Sequence, residues 1–230
     1  MTAAAEGAPG SATIDYPPTQ RSRIKRQHER ARYDRETVHA ILDAGLLCHV
    51  GYVIDGQPYV TPTCYWRQGE RVYWHGSSAS RMLRRQEQGG VPVCFTVSLL
   101  DGLVLARSGF HSSINYRSVM AFGEAERVTG EAEILAALEA FQERLTPGRW
   151  AELRPVNDQE LKATTVMSLE LKEVAAKVRP GPPSDDAADY GLPVWAGVVP
   201  IRYEVGAPED DPRLEPGIAR PDYLNQVRIG

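Results

Sequence analysis

The chain has 230 residues, of which 42% are hydrophobic and 24% are charged, and its formal net charge is −4. This composition predicts a globular protein with one main domain, and it argues against a dedicated nucleic-acid or membrane-binding protein. No apolar run is long enough to span a bilayer, and the N-terminus MTAAAEGAPGSA lacks the features of a secretion signal, so we expect a cytoplasmic protein.

The three cysteines give no sign of a metal site. Cys48, Cys64 and Cys94 each lie within a hydrophobic run, and no two of them have the close spacing of a zinc knuckle or a redox pair. We therefore predict buried free thiols and no bound metal.

Composition divides the chain into three segments. Residues 1–18 are small and polar, which predicts a disordered N-terminus, and residues 19–180 carry the patterns of the main domain. Nine of the 17 prolines lie in the extension 181–230 and at its border, between Pro180 and Pro221. Because the extension also contains the apolar run GLPVWAGVVPIRYEV, we expect it to pack on its own domain or on a partner subunit.

A basic segment precedes the first predicted helix. It is defined by Arg21, Arg23, Lys25, Arg26, Arg30, Arg32 and Arg35. One interpretation is an arm that binds nucleic acid or a phosphorylated ligand. The other, which we favour, is a solvated lead-in whose aliphatic stems pack on the domain, so nucleic-acid binding is not expected.

The first elements after the basic segment are a helix and a strand meander. Asp34 is a suitable N-cap for a short helix that ends near Gly45. The runs LLCHVGYVID, QPYVTPTCYW and RVYWHGS follow as three strands joined by tight turns. Pro62 cannot donate a ladder hydrogen bond, so its strand should lie at an edge or open toward a ligand at that point.

The later elements comprise more strands and an amphipathic helix. VPVCFTVSLL and LVLARSGF predict a second hairpin across Asp101 and Gly102, and YRSVMAFGEAERV predicts a sixth strand. Apolar residues recur at helical spacing from Glu131 to Leu145. A short helix capped by Asp158 then leads to TTVMSLELKEVAAKV, which predicts one last long strand.

The stretch RVYWHGSSASRMLRR, residues 71–85, is a candidate anion site. It predicts a strand that turns through Gly76 and a serine cluster into a helix with Ser80 and Arg81 on its first turn. Free backbone N–H groups, hydroxyls and a guanidinium would converge there, which suits a phosphate.

Five features in a fixed order resemble a known family. They are the strand meander, HGSSASRMLRR, HSSINYRSV, AAKVRPG and LPVWAGVVP, and together they cover about residues 20–225. The chain resembles the pyridoxamine 5'-phosphate oxidase-related proteins, in particular the flavin-nucleotide-binding branch that includes nitroimidazole-resistance proteins. The resemblance implies a mainly β protein with peripheral helices, an FMN-binding split β-barrel of six or seven mostly antiparallel strands. It also implies a homodimer with one FMN in each of two clefts between the subunits.

The resemblance also implies which residues form the site. His75 is the candidate catalytic residue, tuning the ring or donating a proton, and Ser80 and Arg81 would bind the phosphate. The full set of implied cofactor-binding residues is Val60, Thr61, Pro62, Thr63, Trp74, His75, Ser80, Arg81, Asn115, Lys177 and Trp195. Each also has an ordinary structural interpretation, such as a solvated arginine, a strand histidine, a turn asparagine, a charged sheet edge or interface packing.

Two hypotheses about function remain open. The arginine and lysine of the true oxidase's second flavin-contacting strand, and its C-terminal arginine and histidine, have no counterpart in YVTPTCYW or PIRYEVGAPEDDPRL, so oxidation of pyridoxamine phosphate is not expected. The first hypothesis is an FMN-dependent oxidoreductase that passes electrons from a reduced nicotinamide or small substrate to a nitroaromatic or quinone. The alternative is a carrier or sensor that binds a flavin, deazaflavin or haem without turnover.

Overall fold

The computed structural model describes residues 15–80, 83–84 and 91–230. The described helices are α1 (Arg35–Ala44), α2 (Glu131–Leu145) and α3 (Asp158–Ala163). The described strands are β1 (Ala31–Arg32), β2 (Leu47–Ile54), β3 (Gln57–Gln68), β4 (Arg71–Ser77), β5 (Pro92–Leu105), β6 (Ser113–Glu124), β7 (Glu126–Arg127), β8 (Thr164–Glu170), β9 (Glu173–Arg179) and β10 (Gly197–Pro200).

One curled antiparallel sheet contains all of these strands. Its order is β1-β9-β6-β5-β2-β3-β4-β8-β7, and β10 pairs with β5 outside this path. Among the described strands, seven have seven residues or more, and β1, β7 and β10 are shorter. The predicted fold class is therefore confirmed as a mainly β split barrel with peripheral helices.

The main core fills the inside of the curled sheet. Val50, Trp74, Phe95, Val119 and Met167 come from five different strands and belong to one buried cluster. Helix α1 closes one end of this core with its buried apolar face, as its sequence pattern predicts. The helix begins where predicted, because the Asp34 carboxylate accepts a hydrogen bond from the backbone N–H of Thr37 at 2.7 Å.

A second, smaller core lies on the other face of β3, β4 and β8. Helix α2 has the predicted bounds and packs Phe141 against Trp66, with the two ring centroids 5.1 Å apart. Trp66 and Val166 are fully buried under the helix. In this region the sheet therefore carries apolar side chains on both faces, and helix α2 covers the face that points away from the main core.

The predicted hairpin across Asp101 and Gly102 is wrong. Strand β5 runs through both residues to Leu105, with a register irregularity between Leu100 and Gly102 where it pairs with β6. Gly102 serves close packing rather than a turn, because a Cβ there would lie 3.0 Å from the Val199 carbonyl oxygen of β10.

The predicted single strand TTVMSLELKEVAAKV is also wrong, because it forms β8 and β9. Strand β8 pairs with β4, whereas β9 pairs with β6, so the chain must cross between different parts of the sheet. The crossing occurs at Leu171 and Lys172. The next helix start also differs slightly, because Asn157 caps α3 and Asp158 is its first residue.

Of the segment 1–18 that is predicted to be disordered, residues 1–14 lie outside the described residues and residues 15–18 are described. Tyr16 lies in the segment expected to be disordered, but its ring is buried and its hydroxyl donates to the Glu70 carboxylate at 2.7 Å. The basic segment runs along the domain, where Arg21 pairs with Glu173 and Arg35 pairs with Glu70.

The C-terminal extension follows the surface of the domain. β10 pairs with β5, Tyr223 donates to Glu152 at 2.6 Å, and the Gly230 N–H donates to the Ala44 carbonyl at 3.0 Å. None of the helices described in this structure is long and apolar enough to cross a bilayer.

Candidate functional site

The N-terminal half of β3 has a partner strand on one edge only. β2 pairs with β3 from Gln57 to Cys64, but β4 pairs with it only from Tyr65 to Gln68. Beyond Tyr65 the two strands diverge, and the Thr63 hydroxyl reaches the His75 carbonyl at 3.5 Å, the limit of a hydrogen bond. The open edge that Pro62 predicts is therefore present, and the backbone of residues 60–64 lies along it without a β4 partner.

The four predicted β3 residues alternate between two faces of the sheet. Thr61 faces inward and its hydroxyl shares a hydrogen bond of 3.0 Å with the Tyr52 hydroxyl. Val60 and Pro62 face outward, and Val60 is 66% exposed. On this outer face Pro62 lies opposite His49 of β2, and Cys64 lies opposite Leu47. Cys64 is exposed, whereas the sequence predicts a buried thiol.

The turn after β4 binds its own backbone more than the sequence predicts. The N–H of Ser78 donates to the Ala163 carbonyl and that of Ser80 to the Ser77 carbonyl, each at 2.8 Å. The N–H of Ala79 donates to the Ser77 hydroxyl at 3.2 Å. These three amides are therefore not free for a phosphate, and the serine hydroxyls remain as donors.

The two predicted residues at the end of β4 point to opposite faces of the sheet. Trp74 is fully buried in the main core and packs against Phe95. His75 lies on the other face, with its ring 4.7 Å from that of Phe141 on helix α2. Burial lowers the pKa of the His75 imidazole, and its Nδ1 is buried without a hydrogen-bond partner among the described residues.

The remaining predicted residues lie elsewhere on the sheet. Asn115 is buried in β6, and both halves of its amide are engaged: Oδ1 accepts from Arg179 at 2.5 Å and Nδ2 donates to the Gly181 carbonyl at 3.1 Å. Lys177 lies on β9, opposite Ser118. Trp195 precedes β10 and is 65% exposed, with part of its indole against Gly197.

Within one chain, the predicted residues therefore form two groups rather than one. The first group combines the open edge of β3 with His75 and the Ser77–Ser80 turn. The second group is Asn115 on β6, which β5 and β2 separate from β3, and Lys177 on β9, which lies beyond β6. Trp74 in the main core and Trp195 before β10 belong to neither group. Arg81 lies outside the described residues.

The predicted set of site residues includes Lys177 but leaves out Arg179, the arginine that Asn115 holds. Arg179 is 9% exposed at the end of β9, and the register places Tyr116 directly opposite it. Its position two residues after Lys177, on the same face of a strand, was the available signal.

Comparison with known proteins places this geometry in context. A family model described as pyridoxamine 5'-phosphate oxidase matches residues 34–178, which is more than half of the chain. No curated protein sequence matches the chain.

Solved structures with a similar fold include the following three. The flavocytochrome Anf3 from Azotobacter vinelandii is 51% identical over 94% of this chain and 100% of its own, with a TM-score of 0.89. The FAD and haem binding protein from Mycobacterium smegmatis is 35% identical over 86% of this chain and 97% of its own, with a TM-score of 0.82. A putative 5-nitroimidazole antibiotic resistance protein from Bacteroides thetaiotaomicron is 23% identical over 64% of this chain and 86% of its own, and its TM-score of 0.53 concerns the fold alone.

The split barrel, the diverging β3 and β4 strands and the match over residues 34–178 agree with one another. The chain belongs to the pyridoxamine 5'-phosphate oxidase family.

Proposed function

We propose that this protein binds a flavin at the open edge of β3, binds haem as a second cofactor, and passes electrons between them. The observation that carries the proposal is the edge of residues 60–64 that β4 leaves uncovered beside the serine turn, in a chain 51% identical to a flavocytochrome over 94% of its length. The relative described as an FAD and haem binding protein supports the same pair of cofactors.

The residues at this edge fit the chemistry of a flavin. A flavin ring has a polar edge of N–H and carbonyl groups, and free backbone groups of Val60 to Thr63 would pair with it. The hydroxyls of Ser78 and Ser80 would meet the phosphate. When bound, the flavin supplies hydride and single-electron transfer, and the protein supplies orientation and electrostatics.

His75 would act on this site as a neutral group. Because burial lowers its pKa, the imidazole is uncharged at neutral pH, so it can accept or donate a hydrogen bond without adding positive charge. The Phe141 ring of helix α2 packs against the imidazole and contributes to this burial.

His49 is the described histidine that would best hold the iron of a haem. It is exposed on the outer face of β2, and no hydrogen bond joins its ring to another described residue. Leu47, Val53 and Met120 are exposed on the same face and would cover an apolar macrocycle. His28 is also exposed, but it lies in the charged run RQHER.

The same outer face suits a homodimer with the cofactors near the interface. Val60 and Trp195 are mostly exposed large apolar side chains, and burying them against a second chain would remove them from water. The donor in this proposal is a reduced nicotinamide, and the acceptor is a small molecule such as a quinone or nitroaromatic compound. Turnover above that of free flavin in a steady-state assay separates an enzyme from a carrier.

The absorption spectrum of protein produced with excess haem precursor tests the proposal. Flavin bands and a Soret band should both appear in the purified protein. His49→Ala should remove or shift the Soret band and keep the flavin bands, whereas His28→Ala, the matched control, should change neither. A wild-type protein that shows no flavin absorbance and binds neither added FMN nor added FAD would refute the flavin assignment, and the absence of a Soret band would refute the haem assignment.

A further inference from the structure

A cleft of about 340 Å³ opens on the outer face of β5 and β6, away from the edge of β3. Leu100 of β5 and Ile114 of β6 give it aliphatic walls, and Tyr116 and Tyr203 give it aromatic ones. Leu100 and Tyr116 meet because the register places them directly opposite each other. Ligand sites typically have volumes of roughly 300–1,000 Å³, so this cleft suits a ligand of one or two fused rings.

The C-terminal extension completes the cleft. After β10 has paired with the end of β5, the N–H of Ile201 donates to the Asp101 carbonyl at 3.0 Å, at the register irregularity of β5. Tyr203 follows two residues later, and Gly230 lies against its ring, since a Cβ there would be 3.4 Å from Cδ2 of Tyr203. Irregular pairing of this kind often redirects side chains beside functional sites. The extension therefore closes a cleft where the sheet alone would present an open face.

The lining of the cleft is uncharged but can form hydrogen bonds. None of the described residues that line it carries a formal charge, and four of them have a hydroxyl group: Ser98, Tyr116, Ser118 and Tyr203. The Ser118 hydroxyl donates to the Lys177 carbonyl at 3.4 Å, and the other three form no hydrogen bond with another described residue. A buried phosphate or carboxylate would lack an opposite charge here, so the lining favours a neutral ligand that accepts hydrogen bonds.

The hydroxyl groups lie at two levels of the cleft. Tyr116 and Ser118 are two residues apart on one face of β6, which is about 7 Å along the strand. A quinone has carbonyl oxygens on opposite sides of a flat apolar ring, so it can accept hydrogen bonds at both levels. A nitroaromatic compound has both oxygens on one nitrogen and can use one level only. Of the two acceptor classes in the proposed function, the quinone therefore fits this lining better.

The cleft adjoins the surface that the proposed function gives to haem. Thr96 of β5 lies opposite His49 of β2, and Ser98 follows Thr96 by two residues on the same face. Ser98 and His49 are therefore diagonal neighbours, roughly 7–8 Å apart. A ligand in the cleft would lie beside the haem surface without occupying it.

We propose that this cleft binds the electron acceptor of the protein, and that the acceptor is an uncharged quinone. Tyr116 and Tyr203 donate hydrogen bonds to its carbonyl oxygens, and Leu100 and Ile114 enclose its ring. Reduction to the hydroquinone takes two electrons and two protons. The reduced nicotinamide gives up both electrons and one proton, and water supplies the second proton. The role of acceptor rests on the proposed function, whereas the binding site rests on the cleft alone.

Two small ligands test the site in the full-length protein as purified. The first is 2,3-dimethyl-1,4-naphthoquinone, whose two thiol-reactive ring positions are blocked by methyl groups, so the exposed Cys64 does not add to it. The second is 2,3-dimethylnaphthalene, which has a similar ring system and no carbonyl oxygens. Equilibrium dialysis measures the Kd of each, and circular dichroism confirms that every variant is folded.

Three variants distinguish the hydroxyl groups from the apolar walls. Tyr116→Phe and Tyr203→Phe should each weaken quinone binding about 2- to 10-fold, the loss expected for one neutral hydrogen bond, and leave hydrocarbon binding unchanged. Tyr203→Ala also removes a wall and should weaken both ligands about 10-fold. Tyr190→Phe is the matched control, because Tyr190 lies in the same extension with a similar exposure, 55% against 50% for Tyr203. It should change neither Kd.

Two results would overturn the proposal. One is a wild-type protein that binds the quinone no more tightly than Tyr116→Phe and Tyr203→Phe do. The other is quinone binding that disappears as rising protein concentration drives dimer formation, followed by analytical ultracentrifugation. In that case the partner chain covers the cleft, and no acceptor enters it.

A further measurement separates the acceptor role from the proposed function. A purified protein without flavin or Soret bands would refute the proposed function, but the Kd values would still test the site. If the cofactors are present, the quinone should re-oxidise the reduced protein at a rate that saturates. Tyr203→Phe should raise the quinone concentration at half-maximal rate about 2- to 10-fold and keep the maximal rate. An unchanged half-maximal concentration would mean that the acceptor reacts elsewhere.

Discussion

Replacing Trp66 by alanine provides a direct test of the second core, because the chain offers a matched substitution. Trp66 is 1% exposed and Trp195 is 65% exposed, so the same atoms are removed from a buried and from an exposed position. Trp66 packs against Phe141, with ring centroids 5.1 Å apart, and against Tyr73 at 5.7 Å. Its loss should separate helix α2 from the sheet.

The expected difference between the two variants is large. Truncating a fully buried tryptophan costs about 3–5 kcal/mol of unfolding free energy, out of roughly 5–15 kcal/mol for a typical domain. Trp195→Ala, compared with wild type at a protein concentration low enough to keep both chains monomeric, should change stability by no more than about 0.5 kcal/mol. Urea unfolding followed by far-UV circular dichroism measures both, with Trp66→Leu as a milder variant if the alanine variant does not fold. Equal losses of stability in the two variants would refute the assignment of Trp66 to a core.

A second measurement in the same variants addresses His75. Its ring lies 5.8 Å from that of Trp66, and burial lowers its pKa. In Trp66→Leu the imidazole should gain water, so its pKa should rise toward the ordinary histidine value in an NMR titration. An unchanged pKa would mean that α2 and Trp66 do not set the environment of His75.

Two further predictions concern pH and the C-terminal strand. Burial lowers the pKa of His75 and His39, so the unfolded chain binds protons more readily than the folded chain, and the free energy of unfolding should fall as the pH falls from about 7 to about 5. The fall should be smaller in His75→Phe, and an equal fall in that variant would contradict the buried, neutral state of His75. Gly102→Val should displace β10 and speed amide hydrogen exchange in Gly197–Pro200, because a Cβ at position 102 would lie 3.0 Å from the Val199 carbonyl oxygen. Gly109→Val is the control and should leave this exchange unchanged, because a Cβ at position 109 would meet nothing within 4 Å.

Local patterns in the sequence predict much of the fold and part of the site. The amphipathic repeat of Glu131–Leu145 and the cap at Asp34 give correct helices because those signals act within a few residues. Pro62 correctly indicates an open strand edge for the same reason. The Asp101–Gly102 pair misleads, because its glycine is needed for contact with a strand almost a hundred residues later in the chain.

Contacts between distant segments also determine the site, and the sequence does not predict them. The sequence does not show that the amides of Ser78–Ser80 are used by Ala163 and Ser77, because the first of these bonds joins distant segments. It does not show that Asn115 holds Arg179 either, since that contact depends on the register of β6 and β9. The residue types identify candidate site residues, but the register between neighbouring strands determines which of their side chains are in contact.

The four residues of β10 have a consequence for solubility. β5 extends past the end of β2, and without β10 its residues from Gly102 to Leu105 would present unpaired backbone groups flanked by exposed leucines. Such an edge is a template for pairing with another chain. The C-terminal extension therefore covers this edge, and a protein shortened before Gly197 should aggregate more readily because the edge of β5 would be exposed.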